Sequence, residues 1–284
     1  MDIYREIADL RSALADLRAE GRLAFVPTMG NLHEGHLCLV REAKKQAAHV
    51  AVSIFVNPLQ FGPNEDLDSY PRTFESDREA LEAEGVSVLF SPAVGTIYPV
   101  PLSQQTRVSV PGISELYCGA SRPGHFDGVA TVVCKLFNIV QPDVAVFGRK
   151  DFQQLAVIRR MVRDLAMPID IVGLDTVREP DGLAMSSRNQ YLKTKDRARA
   201  PLLYRTLRDA ARRIQDGERD YAQLSREMRD TLDRGGFRSD YVEIVDADTL
   251  LAPQSNSRNL AILVAAWMGA ARLIDNIEVP LASP

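Results

Sequence analysis

The sequence predicts an α/β fold in which a parallel sheet, layered with helices, precedes a smaller α+β domain. Three observations carry that expectation. Apolar, β-branched runs at Leu23–Val26, Val50–Val56 and Asp143–Phe147 alternate with helix-period segments, as in sheets buried on both faces. Each run is followed at once by a cluster of polar or glycine-rich residues. Near Thr176 the alternation gives way to two helical stretches and then three strand-like ones. The expected division is therefore residues 1–175, a Rossmann-like parallel-sheet domain, and 176–284, a smaller α+β domain.

Taken in order, Ile3, Ile7, Leu10, Leu14 and Leu17 recur at three- and four-residue steps and predict a first helix. The strand Leu23–Val26 should stop at Pro27 and Gly30, and Gly35–Ala48 reads as the next helix. Val50–Val56 ends at Asn57 and Pro58, opening a long loop to Pro71 of the length that usually carries function. A helix at Phe74–Glu84 and a strand at Val86–Phe90 complete this unit. The prolines between Pro92 and Phe126 imply irregular chain around one strand at Thr106–Val110. Then come a helix at Val129–Val140, the strand Asp143–Phe147, the turn Gly148–Asp151, a helix at Phe152–Leu165 and a strand at Ile169–Val172. The second domain should hold a polar loop at Leu183–Asn189 and helices at Asp196–Asp216 and Tyr221–Leu232. Its strands are expected at Tyr241–Ile244, Leu260–Ala266 and Ala271–Val279.

Composition narrows the function classes. The 284 residues are 45% hydrophobic and 25% charged, with a net charge of −4, so no basic field is available to hold nucleic acid or an anionic membrane. An anion must be bound by a local cluster. Three widely spaced cysteines, Cys38, Cys118 and Cys134, argue for reduced thiols and a cytoplasmic setting. The N-terminal stretch is a charged amphipathic pattern rather than a signal peptide, and no run approaches the ~20 apolar residues of a membrane span.

In open parallel sheets ligands sit beyond the carboxyl ends of the strands. Three polar clusters fall there: Pro27–His36, Asn57–Phe61 and Gly148–Asp151. His33 and His36 stand at a helix start, where unpaired N–H groups and the positive dipole end attract phosphate. A metal pair is the competing reading, but the zinc-protease helix pattern needs a four-residue step, and only His49 and His125 remain as further histidines. Simple capping histidines are a third reading. Lys150 in a strand-to-helix turn can reach a phosphate; a solvated surface lysine is the alternative. Ser186, Ser187 and Arg188 offer hydroxyl donors and a phosphate-matching fork, or else a capped turn with an exposed arginine. Asn57, Gln60 and Gln154 carry neutral amides suited to orienting hydroxyls and carboxylates.

Seven stretches together resemble one family. They are Pro27–Gly30, His33–His36, Phe55–Phe61, Tyr70–Thr73, Ser121–Phe126, Lys150–Gln154 and Asp181–Asn189. In this order they resemble the pantoate–β-alanine ligases of the nucleotidyltransferase superfamily, over essentially the whole chain. One departure is Arg149, where the family usually has glutamate. The resemblance implies ATP-dependent condensation of pantoate with β-alanine through an enzyme-bound pantoyl adenylate, with AMP and pyrophosphate released and Mg2+ required. It implies catalytic roles for His36, His33, Lys150, Ser186 and Arg188. It further implies an ATP site from Met29, Gly30, Asn31, Leu32, His33, Glu34, Gly35, His36, Gly148, Arg149, Lys150, Asp151, Val177, Met185, Ser186, Ser187 and Arg188. Pantoate would meet Gln60, Gln154 and Met29, and β-alanine would meet Gln60, Asn57, Tyr70 and Arg122. Because the expected crevice lies between two domains and the intermediate is hydrolysable, the second domain should close over ATP; the resemblance itself implies a homodimer. No residues declare themselves Mg2+ ligands.

Overall fold

The computed structural model describes residues 1–281 apart from 64 and 66, so two positions of the expected long loop and the last three of the expected second domain lie outside the described residues. The chain divides into two compact units. The first takes residues 1–115, 122–149 and 154–175, and the second takes 116–121, 150–153 and 176–284.

The first unit is built on a six-stranded sheet whose paired strands all run parallel. In chain order its elements are β1 (Asp2–Tyr4), α1 (Ile7–Glu20), β2 (Leu23–Thr28), α2 (Glu34–Gln46), β3 (His49–Ile54), α3 (Phe74–Ala83), β4 (Val88–Phe90) and the short α4 (Val94–Ile97). After α5 (Cys118–Ser121), which belongs to the second unit, come α6 (His125–Val140), β5 (Val144–Gly148), α7 (Phe152–Asp164) and β6 (Asp170–Leu174). The spatial order is β1-β4-β3-β2-β5-β6, so the chain reverses its direction of winding between β2 and β5. That pair marks the switch point at which such sheets bind ligands. Alternation along β2 explains its unbroken apolar run. Ala24 and Val26 pack with Val40 and Ala43 of α2, whereas Phe25 stands edge-on to Phe137 of α6 at 6.4 Å between ring centroids.

Three expectations for this unit needed correction. Ile3 belongs to a strand, because Asp2–Tyr4 pairs in parallel with Val88–Phe90, a long-range ladder that helix periodicity does not register. Pro27 lies inside β2 instead of ending it. The β5 pairing covers Ala24 and Phe25 alone, so the missing N–H of Pro27 costs no ladder bond on that side. Thr106–Val110 forms no strand, its Val108 N–H being taken by the Thr131 hydroxyl at 2.9 Å.

The second unit continues with α8 (Thr194–Arg199), α9 (Leu202–Gln215), α10 (Tyr221–Arg234), β7 (Arg238–Asp246), β8 (Asn259–Met268) and β9 (Ala271–Pro280). The single helix expected over 196–216 is two, because Pro201 cannot continue the ladder of α8 and instead starts α9. The three strands form an antiparallel meander, β7-β8-β9. Its buried face holds Val242, Ile262, Val264 and Leu273 against Leu203, Leu207, Ile214 and Leu224 of the two longer helices.

Candidate active site

In the first unit the loop after β2 is held as a fixed backbone scaffold. Gly30 has φ +80° and Asn31 φ +51°, and a Cβ on Gly30 would lie 3.0 Å from Asp77 Oδ2. The Asp77 carboxylate, 3% exposed, accepts the Asn31 N–H and the Leu32 N–H, each at 2.8 Å, and the Thr73 hydroxyl at 3.1 Å. Thr28 anchors the start of the loop, its hydroxyl donating to Ser53 O at 2.7 Å and accepting the Gly30 N–H at 3.2 Å.

The two imidazoles complete this scaffold. His33 is the N-cap of α2, and its Nδ1 accepts the Gly35 N–H at 3.1 Å. The His33 N–H in turn donates to His36 Nδ1 at 3.3 Å, and the two ring centroids are 4.2 Å apart. This is a reciprocal capping box made from imidazoles. A nitrogen that accepts a backbone N–H cannot carry the ring proton, so both rings are Nε2–H tautomers. The capping reading holds, with Nδ1 serving the helix, and it does not exclude the phosphate reading, since the ring proton is on Nε2. Glu34 forms an ion pair with Arg41, which holds its carboxyl below the usual range. Leu32 packs into the apolar layer under α2, so its contribution to a ligand comes from the backbone.

Of the pantoate candidates, Gln60 and Met29 meet in this unit. Gln60 Nε2 donates to Met29 Sδ at 3.1 Å. Asn57 is 1% exposed and fully occupied: its amide donates to Gln60 Oε1 at 3.0 Å and Gly128 O at 3.1 Å, and its oxygen accepts Tyr98 at 2.7 Å and the Leu59 N–H at 3.3 Å. All four of its hydrogen-bonding positions are taken, so the side chain orients Gln60 and has none left for β-alanine. Helix α6 seats the same turn at very short range. A Cβ on Gly128 would fall 2.3 Å from the Leu59 carbonyl oxygen. Arg122 forks onto both Glu65 oxygens at 2.6 Å, lies 3.0 Å from His125 Nε2 and reaches Gln60 O at 3.4 Å. Burial would raise the Glu65 carboxyl, but the Arg122 bonds and charge outweigh it and hold the group below its ordinary value. Tyr70 is 5% exposed, with its ring edge-on to Phe61. Gln154 is half-buried in the first turn of α7. Gly148 ends β5, and Arg149 lies 3.2 Å from Gly173 O and 3.5 Å from Asp175.

The second unit holds the remaining cations. Lys150 and Asp151 close a 3-10 turn, with the ammonium 4.0 Å from the Asp151 carboxylate. Val177 and Met185 are joined by a main-chain bond of 3.0 Å across a short hairpin. Ser186 caps the 3-10 helix Ser187–Tyr191 by accepting the Arg188 N–H at 3.3 Å. Its hydroxyl therefore already has a structural task. Asp275, unmarked by any motif, is buried behind these elements with Arg178. Burial pushes its carboxyl up, and the Arg178 fork, the Asn276 N–H and the Lys150 charge pull it back.

Asp77 and Asp275 were both invisible to motif reading. Asp77 gave no signal at all. Asp275 gave one, since Ala271, Leu273 and Asp275 share the buried register of β9, where an acid is out of place unless partnered. Among the described residues no group of three or more His, Cys, Asp or Glu side chains gathers as a metal cage, and no helix is long and apolar enough to cross a membrane.

Comparison with known proteins agrees along the whole chain. A family model described as pantoate-beta-alanine ligase matches residues 2–278. The pantothenate synthetase of Pseudomonas entomophila is 57% identical over 282 residues, covering 99% of this chain and 98% of that protein. That of Shewanella oneidensis is 56% identical over 273 residues, covering 96% and 97%. The crystal structure of the Thermus thermophilus pantothenate synthetase superposes with a TM-score of 0.91 at 48% identity, covering 98% of this chain and 99% of that one. The pantoate-beta-alanine ligase of Francisella tularensis, solved with a β-γ ATP ligand and β-alanine, gives 0.79 at 34% identity, covering 98% and 97%.

Proposed function

This chain belongs to the pantoate-beta-alanine ligase family, amide-forming ligases, and on that premise we propose how its own residues divide the reaction. ATP-dependent joining of pantoate to β-alanine is the activity. A carboxylate resists attack by an amine, so it is activated first. The pantoate carboxylate attacks the α-phosphorus of ATP, the bond to pyrophosphate breaks, and pantoyl adenylate remains bound. The β-alanine amine then attacks the adenylate carbonyl, loses a proton and expels AMP.

The observation that carries this reading is the imidazole capping box at the sheet's switch point. It offers Nε2–H donors at a helix N-terminus, where charge develops on phosphoryl oxygens in the first step. His33 and His36 act as neutral donors in this scheme. Lys150, Ser187 and Arg188 offset the growing charge of pyrophosphate, with Ser186 holding their loop. The ATP site comprises Met29–His36, Gly148–Asp151, Val177 and Met185–Arg188. Gln60 and Gln154 bind the hydroxyls and carboxylate of pantoate, and the Met29 side chain meets its methyl groups. Asn57 sets the orientation of Gln60, while Arg122 and Tyr70 serve the β-alanine end.

The division into residues 1–175 for nucleotide and pantoate and 176–284 for closure over ATP belongs to the same proposal. Closure protects a hydrolysable adenylate from water. Mg2+ fits as part of the Mg·ATP substrate, held by phosphates and water, because the described residues form no cage of their own. We also infer a homodimer in the cytoplasm, a setting that suits three unpaired cysteines.

The test is direct: purified protein with ATP, Mg2+, pantoate and β-alanine, scored for AMP and amide product. AMP release that requires pantoate, and amide that requires all three substrates, is the expected result. AMP release indifferent to pantoate would overturn the reading.

A further inference from the structure

The second unit contains a buried acid in a strand that otherwise alternates apolar residues inward, and its bonds lead to two separate pieces of the proposed phosphate machinery. Strand β9 stands at one end of the three-stranded order β7-β8-β9. On that strand Asp275 has a side chain only 1% exposed. Arg178 forks onto it at 2.6 and 2.9 Å, and the Asn276 N–H adds a third bond at 2.8 Å. The guanidinium lies over the Tyr204 ring, its carbon 3.6 Å from the ring centroid, and also donates to Gly182 O at 3.1 Å.

Both ends of this cluster continue into backbone. Arg178 pairs antiparallel with Ala184, and Glu179 N–H to Leu183 O at 2.8 Å tightens the hairpin that runs straight into Met185 and Ser186. Gly182 turns that hairpin at φ +93°, with a Cβ excluded at 2.7 Å by Tyr204. On the other side, the Asn276 amide donates at 2.9 Å to the main-chain oxygen of Lys150 itself. One buried ion pair thus fixes the turn that bears the ammonium and the hairpin that delivers the Ser187 and Arg188 donors.

We propose that Asp275 and Arg178 are positioning residues for the first half-reaction, setting the Lys150 turn and the Met185–Arg188 loop at the spacing that the triphosphate requires. This rests on the function proposed above. A buried ion pair is a poor way to gain stability alone, since well-packed apolar residues often do as well or better. It is well suited to fixing geometry, because the fork and the aromatic face leave the guanidinium a single orientation. An error of about 1 Å in such a site costs on the order of 10²-fold in rate.

The experiment compares Asp275→Asn, Arg178→Lys and Asn276→Ala with the native protein in two assays. Pantoate-dependent exchange of labelled pyrophosphate into ATP reads the first half-reaction. Amide formation from supplied pantoyl adenylate and β-alanine reads the second. Asp275→Asn and Arg178→Lys are expected to lose on the order of 10²-fold in exchange, with a raised KM for ATP, and under about threefold in amide formation. Asn276→Ala, which leaves the ion pair in place and so covers the case in which the pair variants fail to fold, is expected to lose roughly tenfold in exchange. Equal losses in both assays, or unchanged exchange in a folded variant, would overturn the proposal. Absence of pantoate-dependent exchange in the native protein would overturn the functional reading beneath it, and the native control tells the two failures apart.

Discussion

His33 and His36 cap one helix through each other: His33 Nδ1 takes the Gly35 N–H at 3.1 Å while its own N–H is taken by His36 Nδ1 at 3.3 Å. The structural duty of each ring therefore lies on Nδ1, and mutation can separate it from the donor role proposed for Nε2. Asparagine is among the best N-cap residues but has no counterpart of Nε2–H. His33→Asn should keep thermal stability within about 0.5 kcal/mol of native, whereas His33→Ala should lose about 1 kcal/mol. Both should reduce turnover, and His36→Ala and Lys150→Ala should do so by roughly two to four decades. Unfolding midpoints beside steady-state rates check this; full activity in His33→Asn would remove Nε2–H from the mechanism.

Asp77 sets the loop that these histidines follow. Replacement by asparagine preserves its shape but leaves one acceptor oxygen for two backbone N–H groups that are now each bonded at 2.8 Å. Asp77→Asn should destabilise the first unit by about 1.5–3 kcal/mol, the scale of a charged hydrogen bond lost in a buried place. It should also raise the KM for ATP more than that for β-alanine. A variant with native stability and an unchanged KM for ATP would show that the loop holds its form without the carboxylate.

How much of this was legible beforehand follows from what each feature depends on. The helix of Gly35–Ala48 and the strand Val50–Val56 are local patterns, and they appear as α2 and β3 with ends shifted by a few residues. The glycine and histidine residues of the loop announce a helix start on their own. Ile3 was misread because its partner, Leu89, is far along the chain, and no period within the first twenty residues records that pairing. The partners of Asp77 and Asp275 were hidden for the same reason, lying 46 and 97 positions away. Asn57 looked like a ligand-binding amide because its saturation by Gln60, Gly128, Tyr98 and Leu59 exists only after the fold has formed.

The seat of the Gln60 turn gives another test. Gly128 allows the α6 backbone to approach Leu59 so closely that an added Cβ would stand 2.3 Å from one main-chain atom and 2.7 Å from Gln60 Cα. Backbone cannot swing aside as a side chain can. Gly128→Ala should cost about 1–3 kcal/mol through overpacking and displace the Gln60 amide, raising the KM for pantoate with little change in that for ATP. Separate titrations of the two substrates distinguish the outcomes; equal KM changes would mean that the strain spreads beyond the turn.

Glu65 and Arg122 give the unit a pH dependence of definite sign. The Glu65 carboxyl lies below its ordinary value in the folded chain, since the Arg122 bonds and charge outweigh the effect of burial. Below its unfolded value, about 4.3, the unfolded chain takes up the proton more readily than the folded one, so the stabilisation is complete above that pH and fades as pH falls through the folded value. With side chains 24% and 20% exposed, the pair is partly screened, and salt should weaken it modestly. Glu65→Gln should therefore be less stable than native at pH 7, with the gap narrowing steadily below about pH 4. Denaturant unfolding of both proteins between pH 7 and 3 measures the gap. A difference that stayed constant across that range would place its origin in packing around the side chain and not in the ion pair.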